Sequence, residues 1–144
     1  MFMGEYNHSI DAKGRMIIPV KFREELGDEF VVTKGMDGCL YLYPFEAWKE
    51  FEEKLRSMPV TVNAESRKFA RFFMAGASTV ELDKQGRILI PPVLREFAGL
   101  TKNIVVAGVL ERVEVWDKEK WVQNSRYDDL DEIAAHMSEI GFIL

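Results

Sequence analysis

The 144 residues are 47% apolar and 30% charged, enough for one domain or two very small halves, and too ordinary in composition for a disordered or fibrous protein. No apolar run nears the roughly 18 residues of a membrane span, and residues 1–10 lack the basic start and apolar stretch of a signal peptide, so a cytoplasmic address without a membrane partner is expected. The net charge of -5 speaks at first sight against a polyanionic partner.

Along the chain, residues 6–10 alternate weakly, 11–15 read as a turn, and 16–18 as a second short strand, a hairpin whose glycine takes the left-handed position. Pro19 ends that strand, and Val20–Leu26 predicts two helical turns stopped by Gly27. Glu29–Lys34 and Leu40–Tyr43 predict a strand pair joined through a glycine-bearing turn, with a helix over 45–55 behind it. The only cysteine, Cys39, can form neither an intramolecular disulfide nor a thiolate zinc cluster, and in the run Cys39-Leu40-Tyr41-Leu42-Tyr43 it reads as core. Residues 63–75 predict a linking helix with Phe69, Phe72 and Phe73 opposite Arg67, Lys68 and Arg71.

The series then recurs. Strands are predicted over 78–82 and 87–90, a helix over Pro92–Ala98 ending at Gly99, strands over 103–107 and 113–116, and a helix over Lys118–Asn124 capped by Asp117. Residues 128–140 predict an acidic amphipathic helix whose apolar tail, 141–144, is expected to pack on a neighbour or on its own core. Sliding the sequence by 72 positions lays Asp11-Ala-Lys-Gly-Arg-Met-Ile-Ile-Pro-Val-Lys-Phe-Arg-Glu-Glu-Leu-Gly27 over Asp83-Lys-Gln-Gly-Arg-Ile-Leu-Ile-Pro-Pro-Val-Leu-Arg-Glu-Phe-Ala-Gly99, with eight of seventeen residues identical. At an offset of 73, Val31-Val32 then falls over Ile104-Val105, Gly35 over Gly108, Glu46 over Glu119 and Trp48 over Trp121. Two copies are too few for a solenoid, so one body with an internal pseudo-twofold axis is expected, divided as 1–55, a linking region 56–77, 78–127 and a C-terminal helix and tail 128–144.

Charge follows this division. Residues 1–23, 54–71 and 83–95 carry +2, +4 and +2, while 24–53 hold nine acidic groups against two basic and 111–144 nine against four. The fold can therefore show one basic face and one acidic face, or a mixed solvated surface.

The duplicated turns Asp11-Ala12-Lys13-Gly14-Arg15 and Asp83-Lys84-Gln85-Gly86-Arg87 admit two compatible readings. As a binding element, Arg15 and Arg87 project planar guanidinium groups suited to guanine O6 and N7 or to phosphate, Lys13 and Lys84 add phosphate contacts, and Asp11, Gly14, Asp83 and Gly86 set the loop. As a purely structural element, each aspartate pairs with its own arginine and holds the turn for about 0–1 kcal/mol. Arg23 and Arg95, also matched between copies, either support these loops or contact phosphate. Catalysis by Asp11 and Asp83 as a carboxylate pair is disfavoured, because an arginine four residues after each lowers both pKa values instead of splitting them. His8-Ser9 beside Asp11 is not a triad, since triads converge from separate elements. His8 and His136 make no spaced ligand set, and no glycine-rich phosphate loop is present, so no enzyme, metal or cofactor is expected. The three tryptophans read as packing residues.

The duplicated Asp-x-x-x-Arg turn, each copy followed by Ile-Pro, a short helix with Arg-Glu and a strand pair, together with the start Met-x-Met-Gly-Glu-Tyr, resembles the MraZ family, the two-repeat branch of the AbrB/SpoVT swapped-hairpin group. The resemblance covers essentially the whole chain. It implies an α+β fold, a small β-barrel built from both repeats and flanked by helices, and a homo-oligomeric ring. It also implies a nucleoid-associated bacterial regulator, usually a repressor, that binds G-rich direct repeats in double-stranded DNA upstream of the division and cell-wall gene cluster containing its own gene. A protein-interaction module, an antitoxin-like partner binder on the same scaffold, is the alternative.

Overall fold

In the computed structural model, which describes residues 1–144, the first repeat runs β1 (Phe2–Ser9), β2 (Arg15–Ile17), α1 (Val20–Leu26), β3 (Glu29–Lys34), β4 (Leu40–Tyr43) and α2 (Phe45–Arg56). After α3 (Ala64–Ala75), the second repeat runs β5 (Ser78–Glu81), β6 (Arg87–Leu89), α4 (Pro92–Ala98), β7 (Asn103–Leu110), β8 (Arg112–Asp117) and α5 (Lys118–Asn124), and α6 (Leu130–Glu139) closes the chain. The protein is α+β, and no helix is long and apolar enough to cross a membrane.

Most strand pairing crosses between the repeats. One antiparallel sheet has the order β1-β7-β8-β4-β3-β5, and β2 and β6 form a separate two-stranded ribbon. Only β3–β4 and β7–β8 pair within a repeat. The hairpin expected between residues 6–10 and 16–18 is therefore not formed: β1 spends its ladder on β7, from Phe2↔Leu110 to Ser9↔Asn103, and the two arms meet only at the bridge Ile10↔Met16. A three-residue hairpin on its own is marginal, whereas pairing β2 with β6 buries Met16 and Ile88 side by side in a shared interior.

That interior is one cluster of 19 buried side chains, among them Met16, Ile18, Phe22 and Phe30 from the first repeat and Ile88, Leu94, Ile104 and Val115 from the second. Burying each aliphatic or aromatic side chain of this kind is worth about 1.5–3 kcal/mol. The sheet and the ribbon face each other across it. The strand ladders remain two, an open six-stranded sheet and its ribbon, and they do not close into one cylinder.

The core also corrects the internal alignment. Phe30 and Val32 of β3 point inward, as do Ile104 and Val106 of β7, while Val31 and Val105 join a second cluster on the outer face. Phe30 therefore corresponds to Ile104, an offset of 74; the 73 read from sequence would exchange the two faces, because strand side chains alternate. The offset returns to 73 in the next strands, where Leu40 and Leu42 match Val113 and Val115.

The outer cluster lies under α2 and α3. Cys39 is fully buried in it, and burial pushes its thiol well above the usual range. Trp48 and Trp116 are buried there and Trp121 packs against it; Tyr43–Trp48 and Trp116–Trp121, matched at 73, both have ring centroids 5.7 Å apart. Helix α3 starts at Asn63, whose side chain accepts from Ser66 N at 3.1 Å. Phe73 is buried against Tyr41 and Phe51, and its carbonyl accepts from Thr33 Oγ1 at 2.6 Å. Asp117 stands before α5 but does not cap it: its carboxylate accepts instead from Thr101 N and Oγ1, at 3.2 and 2.9 Å.

Helix α6 is shorter than the span 128–140 and has no buried residue. Its tail does not pack on the core. Gly141 turns the chain back, Phe142 N donates to Met137 O at 2.9 Å, and the tail covers only the helix from which it comes.

Candidate nucleic-acid interface

Each duplicated loop is built around one carboxylate. Asp11 Oδ1 accepts from the backbone N–H groups of Lys13 and Arg15 at 3.0 and 2.9 Å, and Oδ2 accepts from Arg15 Nε at 2.8 Å. Asp83 does the same for Gln85 N, Arg87 N and Arg87 Nε at 2.9, 2.9 and 2.8 Å. Aspartate suits this position because its short side chain reaches amides two and four residues on without extending the turn. The hydrogen bond from the Arg15 amide, helped by its guanidinium, holds the Asp11 carboxyl below the ordinary value, and the Arg87 amide and guanidinium do so for Asp83.

Gly14 and Gly86 adopt φ of 88° and 75°, a backbone that L side chains resist. They are also crossing points between the repeats. A Cβ on Gly14 would lie 2.5 Å from Cζ of Arg95, and a Cβ on Gly86 would strike the guanidinium of Arg23. Each helix arginine thus lies against the glycine of the opposite loop. The backbone repeats the exchange, with Ile18 N donating to Gly86 O and Ile90 N to Gly14 O, both at 2.9 Å.

Arg23 and Arg95 thus occupy matching places beside the loops, but with different bonding. Arg23 Nε donates to Ile18 O at 2.9 Å, whereas the buried Arg95 Nε meets no acceptor. Sequence reading paired Arg23 and Arg95 by their spacing but missed that each lies against the other repeat's loop. Only the crossed pairing of β2 with β6 reveals it.

Ribbon register brings the loops together. Arg15 opposes Leu89, Met16 opposes Ile88 and Ile17 opposes Arg87, so with Met16 and Ile88 inward, Arg15, Arg87, Ile17 and Leu89 share the outer face. Ile17 and Leu89 are exposed there, and Val20 and Val93 stand exposed just beyond. These apolar neighbours were also missed, although the patterns Arg-Met-Ile and Arg-Ile-Leu place them by simple alternation. Lys13 and Lys84 are exposed in the turns. Each loop arginine commits Nε to its aspartate and leaves both Nη groups without a protein acceptor. The result is two oriented, planar donors about one narrow ribbon.

A family model described as "MraZ protein, putative antitoxin-like" matches residues 1–72 and again 73–140. The chain is 61% identical over 141 residues to the Transcriptional regulator MraZ of Lachnoclostridium phytofermentans, covering 98% of each chain. It is 56% identical over 142 residues to the protein of that name from Clostridium acetobutylicum and 56% identical over 143 to that from Acetivibrio thermocellus, covering 98% of this chain and 99% of each relative. The solution structure of PHS018 from Pyrococcus horikoshii aligns with 80% of this chain and 88% of its own, at 16% identity and a TM-score of 0.33, too slight a likeness to bear on the fold.

Proposed function

The chain belongs to the MraZ family, and from that membership we propose that it is a sequence-specific, DNA-binding transcriptional regulator whose two Asp-x-x-Gly-Arg loops read G-rich direct repeats. The observation that carries the reading is the pair of loop arginines, each fixed by an aspartate through Nε and offering its Nη groups on the outer face of the ribbon. In this reading Arg15 and Arg87 make bidentate contacts to guanine, and Lys13 and Lys84 contact phosphate. Asp11, Gly14, Asp83 and Gly86 shape the loops, while Arg23 and Arg95 brace them from the opposite repeat. The acidic regions elsewhere repel nonspecific polyanion and leave binding to the loop face.

The proposed regulator acts in the cytoplasm at the nucleoid, as a repressor of the division and cell-wall cluster that includes its own gene. It assembles as a ring of like subunits, which repeats the loops in one orientation and so suits direct repeats. Each protomer then binds weakly and several together bind well. Titration of a duplex from the gene's own upstream region, with a shuffled duplex as competitor and at two salt concentrations, tests it. Preferential binding that weakens steeply with salt is expected; equal affinity for both duplexes overturns it. The words "antitoxin-like" in the family description favour a second reading, a protein-binding module, which a co-purifying partner together with no operator binding would establish.

A further inference from the structure

The outer face of the ribbon is half cationic and half aliphatic, and its aliphatic half belongs to neither buried cluster. It consists of four side chains, Arg15 and Ile17 from β2 and Arg87 and Leu89 from β6. Met16 and Ile88 take the inward positions and are 1% exposed, which leaves Ile17 42% and Leu89 56% exposed. Register alternates the two kinds. Arg15 stands opposite Leu89 and Arg87 opposite Ile17, so each arginine is paired with an aliphatic residue of the other repeat. Side chains directly opposite on one face of an antiparallel pair have Cβ atoms about 4.5–5.5 Å apart.

Holding the ribbon together does not account for the exposed pair. Met16 and Ile88 anchor the two strands from inside, and strand propensity favours isoleucine at 17 but not leucine at 89, where valine or threonine would serve a strand better. Charge points to what covers the face. Its only ionic groups are the two guanidinium groups, whose Nη atoms have no protein acceptor, and Lys13 and Lys84 are exposed in the adjoining turns. Asp11 and Asp83 are already committed to loop amides and to the arginine Nε groups. Such a face suits a polyanion that also presents an apolar group. The DNA major groove admits a two-stranded ribbon, and the apolar group on its base edges is the C5-methyl of thymine.

We infer that Leu89 and Ile17 read thymine methyl groups, each beside the guanine contacted by the arginine opposite it. The inference deepens the proposed function and rests on it, since only a ribbon seated in the major groove brings these side chains to base edges. Both reading units are composite: Arg15 acts with Leu89 and Arg87 with Ile17, one residue from each repeat. Neither repeat holds a complete unit, and the step selected is a guanine next to a thymine. Apolar wedges driven between base steps from the minor groove are a different mode. Ile17 and Leu89 instead share their face with arginines suited to the major-groove edge of guanine, and a minor-groove wedge would leave the C5-methyl untouched.

Deoxyuridine differs from thymidine by that methyl group alone. The test therefore titrates the full chain against a duplex from the gene's own upstream region, the same duplex with deoxyuridine at every thymidine, and a shuffled duplex. Burying one methyl group is worth about fourfold in affinity, so the wild type should prefer the thymine duplex to the deoxyuridine duplex by at least about fourfold. Leu89→Ser and Ile17→Ser should each shrink that preference by about fourfold, and Leu89→Ile should keep it. All three variants should melt with the wild type, because neither position is in a buried cluster. A wild type that prefers the natural duplex to the shuffled one, yet binds the deoxyuridine duplex equally well, overturns the inference and leaves the proposed function standing. Equal affinity for the natural and shuffled duplexes overturns both. A thymine preference that survives both serine variants assigns the methyl effect to DNA shape and overturns the inference too. If the serine variants also sediment differently without DNA, the face belongs to a second copy of the chain instead.

Discussion

Asp11 and Asp83 accept the same three hydrogen bonds at distances that differ by no more than 0.1 Å, whereas α3 and α6, the helices that follow the two repeats, share neither charge nor environment. The first is basic and buries Phe73; the second is acidic and buries nothing. The difference lies in what each region touches. Each loop is hydrogen-bonded to the other repeat through Ile18, Ile90, Gly14 and Gly86, so the two loops share one frame. The internal offset does not lay α6 over α3, and the two helices make different contacts.

That reading predicts that the repeats cannot unfold separately. Phe30 and Ile104 are matched, fully buried and on strands whose outer neighbours come from the opposite repeat. Phe30→Ala should cost about 3–5 kcal/mol and Ile104→Ala about 2–5 kcal/mol. Urea unfolding followed by tryptophan fluorescence and by far-UV circular dichroism should give one shared midpoint for each variant. Two midpoints would show that the repeats are separable after all.

Arg15→Ala and Arg87→Ala should each weaken operator binding by about 1–3 kcal/mol in a fluorescence titration, at unchanged melting temperature, because a solvated ion pair adds little to stability. A loss at one position only would locate recognition in one loop and point to what distinguishes the two, Ala12-Lys13 against Lys84-Gln85 in sequence and the tethered Arg23 against the untethered Arg95 beside them. Gly14→Ala and Gly86→Ala should each destabilise by about 1–2 kcal/mol through the left-handed backbone. Gly86→Ala should cost more, since Arg23 is tied to Ile18 O and cannot retreat, whereas Arg95 has no such tether. Equal melting temperatures would remove that distinction.

The elements, the duplication and the arginine loops were legible in the sequence because each is a local pattern: alternation, proline and glycine punctuation, and a motif repeated 72 residues on. Pairing was not legible. Residues 6–10 and 16–18 look like hairpin arms because local signals say nothing about which strand completes a ladder, and only a shared interior makes β1 choose β7 and β2 choose β6. The offset at β3 and β7 was misread by one for a related reason. In a continuous apolar run such as Phe30-Val31-Val32 against Ile104-Val105-Val106, identity alone does not reveal which residue faces in. Asp117 was misjudged as a cap because its partner, Thr101, lies sixteen residues away.

The smallest predicted effect is also the closest test of equivalence between the loops. Both aspartates titrate below their ordinary value of 3.8. A carboxylate whose native pKa is depressed binds fewer protons when folded than when unfolded, so its contribution is fully present above the unfolded value and fades as the pH falls through the native one. Loop geometry should thus be constant from neutrality down to the ordinary carboxylate range and loosen only in stronger acid. Carboxyl carbon resonances should show Asp11 and Asp83 titrating together below 3.8, with the Nε–H signals of Arg15 and Arg87 broadening over the same range as each loses its acceptor. Asp83→Asn should broaden Arg87 Nε–H at neutral pH and leave Arg15 unchanged, because the amide still accepts from the Gln85 and Arg87 backbone but no longer offers a second oxygen to the guanidinium. Either aspartate titrating at its ordinary value would mean that its loop is not held by the carboxylate, and the equivalence of the two loops would go with it.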